Sequence, residues 1–176
     1  MKIRKASISD LPRMMELYQG ARQFMKETGN PNQWKDTYPE EQVVRRGILE
    51  GKAYLALAES GEDVKEGETA VPGEVLGTFY FAREEDPTYK KIYDGSWLNE
   101  EPYGVVHRVA SARKAKGFAG ACFDWAGNQC RNLKIDTHRE NRVMQHVLEK
   151  NGFVRCGIIY LENGEERLAY QRVYGK

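Results

Sequence analysis

The sequence predicts an α/β (α+β) fold, and three observations predict it. Seven short segments have strand character and four longer ones have helical spacing, interleaved along the chain. With 176 residues, 40% hydrophobic and 30% charged, the chain is long enough for one full-sized core and too short for two, so a single domain over residues 1–176 is expected. No internal repeat or low-complexity tract interrupts the order.

The elements follow in turn. "KIRKAS" alternates as a strand, and Ser9 and Asp10 are good N-cap residues for the helix "LPRMMELYQGARQFMKETG", with Pro12 in its first turn. Met14, Met15, Leu17, Tyr18, Ala21, Phe24 and Met25 fall at helical spacing, a pattern that marks a core face, and Gly29, Asn30 and Pro31 end it. "PEEQVVRRGILEG" reads as a second helix, opened by Pro39 and stopped by Gly51. The strands "AYLALAE" and "VLGTFYFAR" follow, joined by "SGEDVKEGETAVPGE", a solvated hairpin loop with no chemistry of its own. Residues 84–103, "EEDPTYKKIYDGSWLNEEPY", make a connection long enough to be either functional or disordered, and its aromatic content argues against disorder. Then come the strand "GVVHRVA", a basic turn, a helix over about 117–128, the strand "LKIDTH" and the helix "NRVMQHVLEKNG". The strands "FVRCGIIYLE" and "ERLAYQRVY" close the chain around the Asn163–Gly164 turn, a strong hairpin signal.

Charge and composition narrow the function. The net charge of +1 gives no global field to favour nucleic acid or an anionic membrane, so any basic site is local. No apolar run approaches the roughly 20 residues of a membrane span, and "MKIRKASISD" lacks the apolar core of a signal peptide, so a cytoplasmic protein is expected. Cys122, Cys130 and Cys156 are odd in number and form no CxxC pair, which argues against a disulfide framework and a zinc site. His138 and His146 have no partner at metal-ligand spacing, and no metal is expected.

The stretch "HRVASARKAKGFAGACFDWAGNQ" carries the chemistry. A strand, a short turn and a helix start make an anion site, because the first backbone N–H groups lack partners and the helix dipole adds positive potential. Lys114 and Lys116 add charge, Gly117 permits close approach, and Ala119 and Gly120 keep the first turn free of bulk. The expected ligand is a phosphate, although a solvated basic loop has the same composition. Neither GxxxxGK[ST] nor GxGxxG is present, which argues against a mononucleotide kinase or a Rossmann dehydrogenase.

"KAKGFAG" resembles the [Q/R]xxGx[G/A] pyrophosphate loop of the GNAT superfamily of acetyl-CoA-dependent N-acetyltransferases, with Lys114, Gly117 and Ala119 on the three motif positions. "NRVMQHVLEKNGF" is similar to the family segment that follows, at Asn141, Gly152 and Phe153. With the order of elements, the resemblance covers Ile3 to about Tyr174. It implies a mixed, mostly antiparallel sheet of about seven strands with helices on both faces, and transfer of acetyl from acetyl-CoA to a primary amine of a small molecule or peptide by direct attack on the thioester. The residues it puts against CoA are Arg108, Val109, Ala110, Lys114, Ala115, Lys116, Gly117, Phe118, Ala119, Gly120, Asn141 and Met144. The backbone of Arg108, Val109 and Ala110 would pair with the pantetheine arm and donate to the developing oxyanion. Lys114 replaces the usual Gln or Arg and loses the planar fork. Leu148 occupies the position that commonly carries a general-acid Tyr, so that role has no carry-over.

An alkyl ammonium of pKa about 10.4 is almost wholly protonated at neutral pH, so a base is useful. The resemblance puts a carboxylate at Asp136, which could equally cap a strand end. His107, on the strand that should face the thioester, is the rival base because histidine titrates near neutrality, though a strand histidine is also a common core or rim residue. Trp34, Tyr38, Trp97 and Tyr103 lie in loop-like segments and are expected at the acceptor site, unless they only pack the loops together. Glu100 and Glu101 could attract a cationic amine or form a solvated acidic run. No nucleic acid or membrane partner is expected, and a homodimer is left open. Two rival readings remain: a CoA-binding sensor or interaction domain without turnover, which Leu148 keeps alive, and a nucleotide-binding α/β domain.

Overall fold

The segments with strand character form strands at Lys2–Lys5 (β1), Ala53–Leu57 (β2), Val75–Ala82 (β3), Gly104–Ser111 (β4), Asn132–Thr137 (β5), Val154–Tyr160 (β6) and Glu166–Val173 (β7). Helices occupy Leu11–Glu27 (α1), Glu41–Leu49 (α2), Phe118–Gln129 (α3) and Arg142–Lys150 (α4). This is a computed structural model, and it describes residues 1–59 and 70–175. The loop expected at 60–74 falls largely outside the described residues; the strands it joins pair antiparallel.

The start of α1 differs from expectation. Ile8–Asp10 form a 3-10 turn, and the Asp10 carboxylate turns back instead of capping α1. It accepts from the Ser7 N–H at 2.7 Å and from both terminal nitrogens of Arg4 at 2.8 and 2.9 Å. The Arg4 guanidinium outweighs the cost of burial and brings the Asp10 carboxyl down to about 2.

The strands form one sheet in the order β1-β2-β3-β4-β5-β7-β6, antiparallel throughout except for the β4–β5 pair. Alternation divides its side chains between two layers. Ala53 and Leu55 of β2 join Leu11, Met14, Leu17, Val44 and Ile48 beneath α1 and α2. Ala56 faces the opposite way, into a core with Phe79, Phe118, Phe123, Leu133, Ile135, Leu148 and Leu168. Each large side chain so buried contributes about 1.5–3 kcal/mol. The same rule sends Leu133 and Ile135 of β5 into the α3 layer and Lys134 and Asp136 to the other face.

That other face is covered near β4, β5 and β7 by the long connection. Pro87–Tyr89 form a 3-10 turn, and Tyr93 bridges to Ile158. Tyr89 packs with Val105, Ile159 and Ala169, while the Trp97 indole donates to the Tyr89 carbonyl at 2.9 Å. Gly95 is required by contact: a Cβ there would overlap the carbonyl of Cys156.

Candidate active site

The β4–β5 pair stops almost as soon as it starts. Only Gly104–Leu133 and Val105–Lys134 are in register, and beyond them the strands diverge. A β-bulge sits on β4 at the same level: Thr78 faces Ala110 and Tyr80 faces His107, so two β3 steps oppose three on β4. Arg108 lies within the extra length with a φ of 52°, left-handed backbone for a non-glycine residue. The gap opens into a cleft of about 440 Å³. Val106, His107, Arg108 and Val109 line one wall and Ile135, Asp136 and Thr137 the other. Residues from the α1–α2 loop, the long connection, the start of α4 and the β6–β7 hairpin complete it.

His107 and Asp136, the two candidate bases, are brought together: the His107 Nδ1 is 3.9 Å from the Asp136 Oδ2. Two further residues join them from the long connection. The Asp86 Oδ2 lies 3.1 Å from the His107 Nε2, and the Tyr89 hydroxyl donates to the Asp136 Oδ2 at 2.6 Å. Asp86 is itself fixed by the Thr88 backbone N–H at 2.9 Å and the Thr88 hydroxyl at 2.6 Å, while its own N–H donates to the Tyr103 hydroxyl. Burial opposes ionisation of Asp86, yet the His107 and Thr88 hydrogen bonds outweigh it and bring the carboxyl down to about 2. An ionised carboxylate can only accept. The His107 Nε2 therefore donates to Asp86, and its Nδ1 faces the Asp136 side of the cleft. Tyr89, fully buried beside Asp136, is held well above the usual phenol range, first by burial and then by that carboxylate, so it stays a donor.

The phosphate loop is more divided. Gly117 is the N-cap of α3, with a φ of 72°, and a Cβ there would meet nothing within 4 Å, so space lies open above the helix start. Ala115 and Phe118 are core residues: Ala115 packs with Ala58 and Leu76, and the Phe118 ring fills the place where Gly77 lacks a side chain. Only their backbone is left for a ligand. The Lys114 ammonium is paired with Glu74, Lys116 is exposed, and Ala119 packs against the α3 core. A Cβ at Gly120 would stand 2.7 Å from the Asn151 amide oxygen, so this glycine lies close against the end of α4. Asn141 caps α4, its Oδ1 accepting from the Met144 N–H at 3.0 Å and its Nδ2 donating to Gln33 at 2.8 Å; both Asn141 and Met144 line the cleft. Ala110 is buried against α1.

The four loop aromatics split evenly. Trp34 and Tyr38 line the cleft, Trp34 packed edge-on against Tyr18 and Tyr38. Trp97 and Tyr103 are not among the lining residues. They sandwich the Lys134 ammonium, 4.2 and 4.0 Å from their ring centroids, and brace Tyr89 and Asp86 from behind. Glu100 and Glu101 also lie outside the lining. Leu148 is wholly buried in the α3 core and offers no proton. Sequence reasoning missed Asp86 and Tyr89; their only signal was the length and aromatic content of the segment that carries them. Among the described residues no group of His, Cys, Asp or Glu could hold a metal ion, and no helix is long and apolar enough to cross a membrane.

No protein-family model and no curated protein matches the sequence. Solved structures do. An acetyltransferase of the GNAT family from Streptococcus agalactiae is 28% identical, with a TM-score of 0.83, over 99% of this chain and 96% of its own. A GNAT-family acetyltransferase from Listeria monocytogenes is 17% identical, with a TM-score of 0.67, over 98% and 94%. The NatC complex bound to Gag peptide and CoA is 15% identical, with a TM-score of 0.55, over 99% and 100%. Likeness along the whole chain, joined to strands that part beside a histidine–carboxylate pair, places this protein in the GNAT superfamily of N-acetyltransferases.

Proposed function

We propose that this chain, as one domain, transfers the acetyl group of acetyl-CoA to a primary amine of a small molecule or peptide, in the cleft between β4 and β5. The observation that carries the reading is the Asp86–His107 pair at the point where the strands part. The α3 start fits a diphosphate: Gly117 leaves open space there, and no side chain caps the first N–H groups. Gly117, Ala119, Lys116 and the backbone of Ala115 and Phe118 would hold it, with Lys114 contributing once it leaves Glu74. A neighbour in fold solved with CoA supports the same ligand.

Acetyl-CoA, when bound, supplies a thioester carbonyl to the amine. The rest is done by the chain's own residues. His107 accepts the ammonium proton at Nδ1 while Nε2–H remains on Asp86, so the imidazolium that forms lies between two carboxylates. Asp136, already accepting from Tyr89, is placed to hold the ammonium beforehand. Between the two candidates we therefore assign His107 as the base and Asp136 as the group that orients the amine. The bulged backbone at Arg108 and Val109 directs main-chain donors at the carbonyl oxygen. The leaving sulfur takes its proton from His107 or solvent, since Leu148 has none to give, and the second proton shed by the acylated nitrogen passes through the freed His107 to water.

The histidine–carboxylate pair also separates this reading from a CoA sensor, which needs no base. Calorimetric titration with CoA, together with thiol release from acetyl-CoA over a broad amine panel, tests it. Binding with amine-dependent release is expected; binding with no release on any amine would favour the sensor.

A further inference from the structure

Three cations line the cleft, and they are not alike. Lys35 and Arg167 both pair with Glu165, at 2.7 and 3.2 Å. Arg108 has no carboxylate within ion-pair distance among the described residues. Its guanidinium lies over the Tyr80 ring, 4.5 Å from the centroid, and one nitrogen reaches the Tyr38 hydroxyl at a long 3.4 Å. Stacking occupies the face of the guanidinium, and the side chains at its edge are the uncharged Tyr38 and Tyr18 hydroxyls, which leave the cation without a countercharge. The residue is half-buried, so water does not fully replace the missing anion. It also sits in left-handed backbone inside the bulge, a conformation unfavourable for a non-glycine residue. Arg108 lines the cleft next to His107. On the facing wall, the fully buried Thr137 has a hydroxyl with no partner.

The cleft is thus bipolar, with Asp86 and Asp136 on the His107 side and an unanswered guanidinium on the next residue. A neutral-bodied amine or a polyamine would leave Arg108 unpaired. We propose that the acceptor is an amino acid with a free carboxylate, which Arg108 grips by its guanidinium fork while the amine faces Asp136 and His107. This rests on the acetyl-transfer reading for its chemistry, but not for its binding geometry. Arg108 then determines specificity by rejecting acceptors that lack the acid, because they leave a half-buried charge unpaired.

The test uses the whole chain with CoA bound and, as probes, the proteinogenic amino acids and their C-terminal amides. Binding is read by tryptophan fluorescence, since Trp34 lines the cleft, and turnover by thiol release. At least one amino acid should be preferred over its amide by about 10- to 100-fold in Kd and kcat/KM. Arg108→Met should collapse that ratio towards one through KM, and Arg108→Lys should restore part of it. Equal handling of every acid and its amide overturns the proposal, as does a preference that survives in Arg108→Met. A matching loss of CoA affinity in Arg108→Met would assign the guanidinium to CoA and overturn it too. If acids bind through Arg108 but no amine is turned over, acetyl transfer fails while the carboxylate site stands.

Discussion

Asp86 decides the state of His107. Because the Asp86 carboxyl is depressed in the folded protein, its contribution to stability is complete above the ordinary value of 3.8 and is lost as pH falls through about 2. The shift corresponds to about 2 kcal/mol. Asp86→Asn should therefore cost about 1–2 kcal/mol at neutral pH, and urea midpoints of variant and parent should converge between about pH 4 and 2. A gap of constant size over that range would show that Asp86 stabilises the fold by packing alone. Neither Asp86 nor Tyr89 was legible as a site residue. The connection that carries them has no period to say which way a side chain points, whereas His107 and Asp136 inherit their direction from strands. Trp97 and Tyr103 show the same limit from the other side: their aromatic character was visible, but not that they would clasp Lys134 behind the cleft.

At the scale of elements, the opening between β4 and β5 and the start of α3 make the site, and both depend on close packing. Gly77 on β3 admits the Phe118 ring, and a Cβ there would stand 2.6 Å from the Ala110 carbonyl oxygen. Gly77→Ala should overpack this junction of β3, β4 and α3 and cost about 1–3 kcal/mol, read as a fall in the thermal midpoint. An unchanged midpoint would mean that α3 shifts freely. Gly117→Asp makes the opposite kind of change. Its Cβ meets open space and Asp tolerates left-handed backbone, so the fold should persist while a carboxylate at the helix start repels the diphosphate and abolishes CoA binding. Retained CoA affinity in a folded Gly117→Asp protein would place the phosphates elsewhere. The sequence disclosed this strand–turn–helix because its signal is local. It did not disclose that Lys114 pairs with Glu74, a partner forty residues away on the approach to β3.

For the whole molecule, hydrophobic patterning together with cap, Pro and Gly punctuation yielded seven strands and four helices in order, because most strands bury at least one face and each helix a stripe. The parting of the parallel pair was not written in any period; it lies just beyond Val105–Lys134, where the β4 bulge begins. Function concentrates at that one break in an otherwise continuous sheet. The account stands or falls on His107 taking a proton from an amine there. The measurement that tests this most directly is amine-dependent thiol release from saturating acetyl-CoA by the parent and by His107→Gln, with CoA affinity measured beside it. A fall in kcat/KM of about 10²–10⁴-fold with CoA binding retained is the predicted result. Turnover at the parental rate across the neutral pH range in His107→Gln would contradict it.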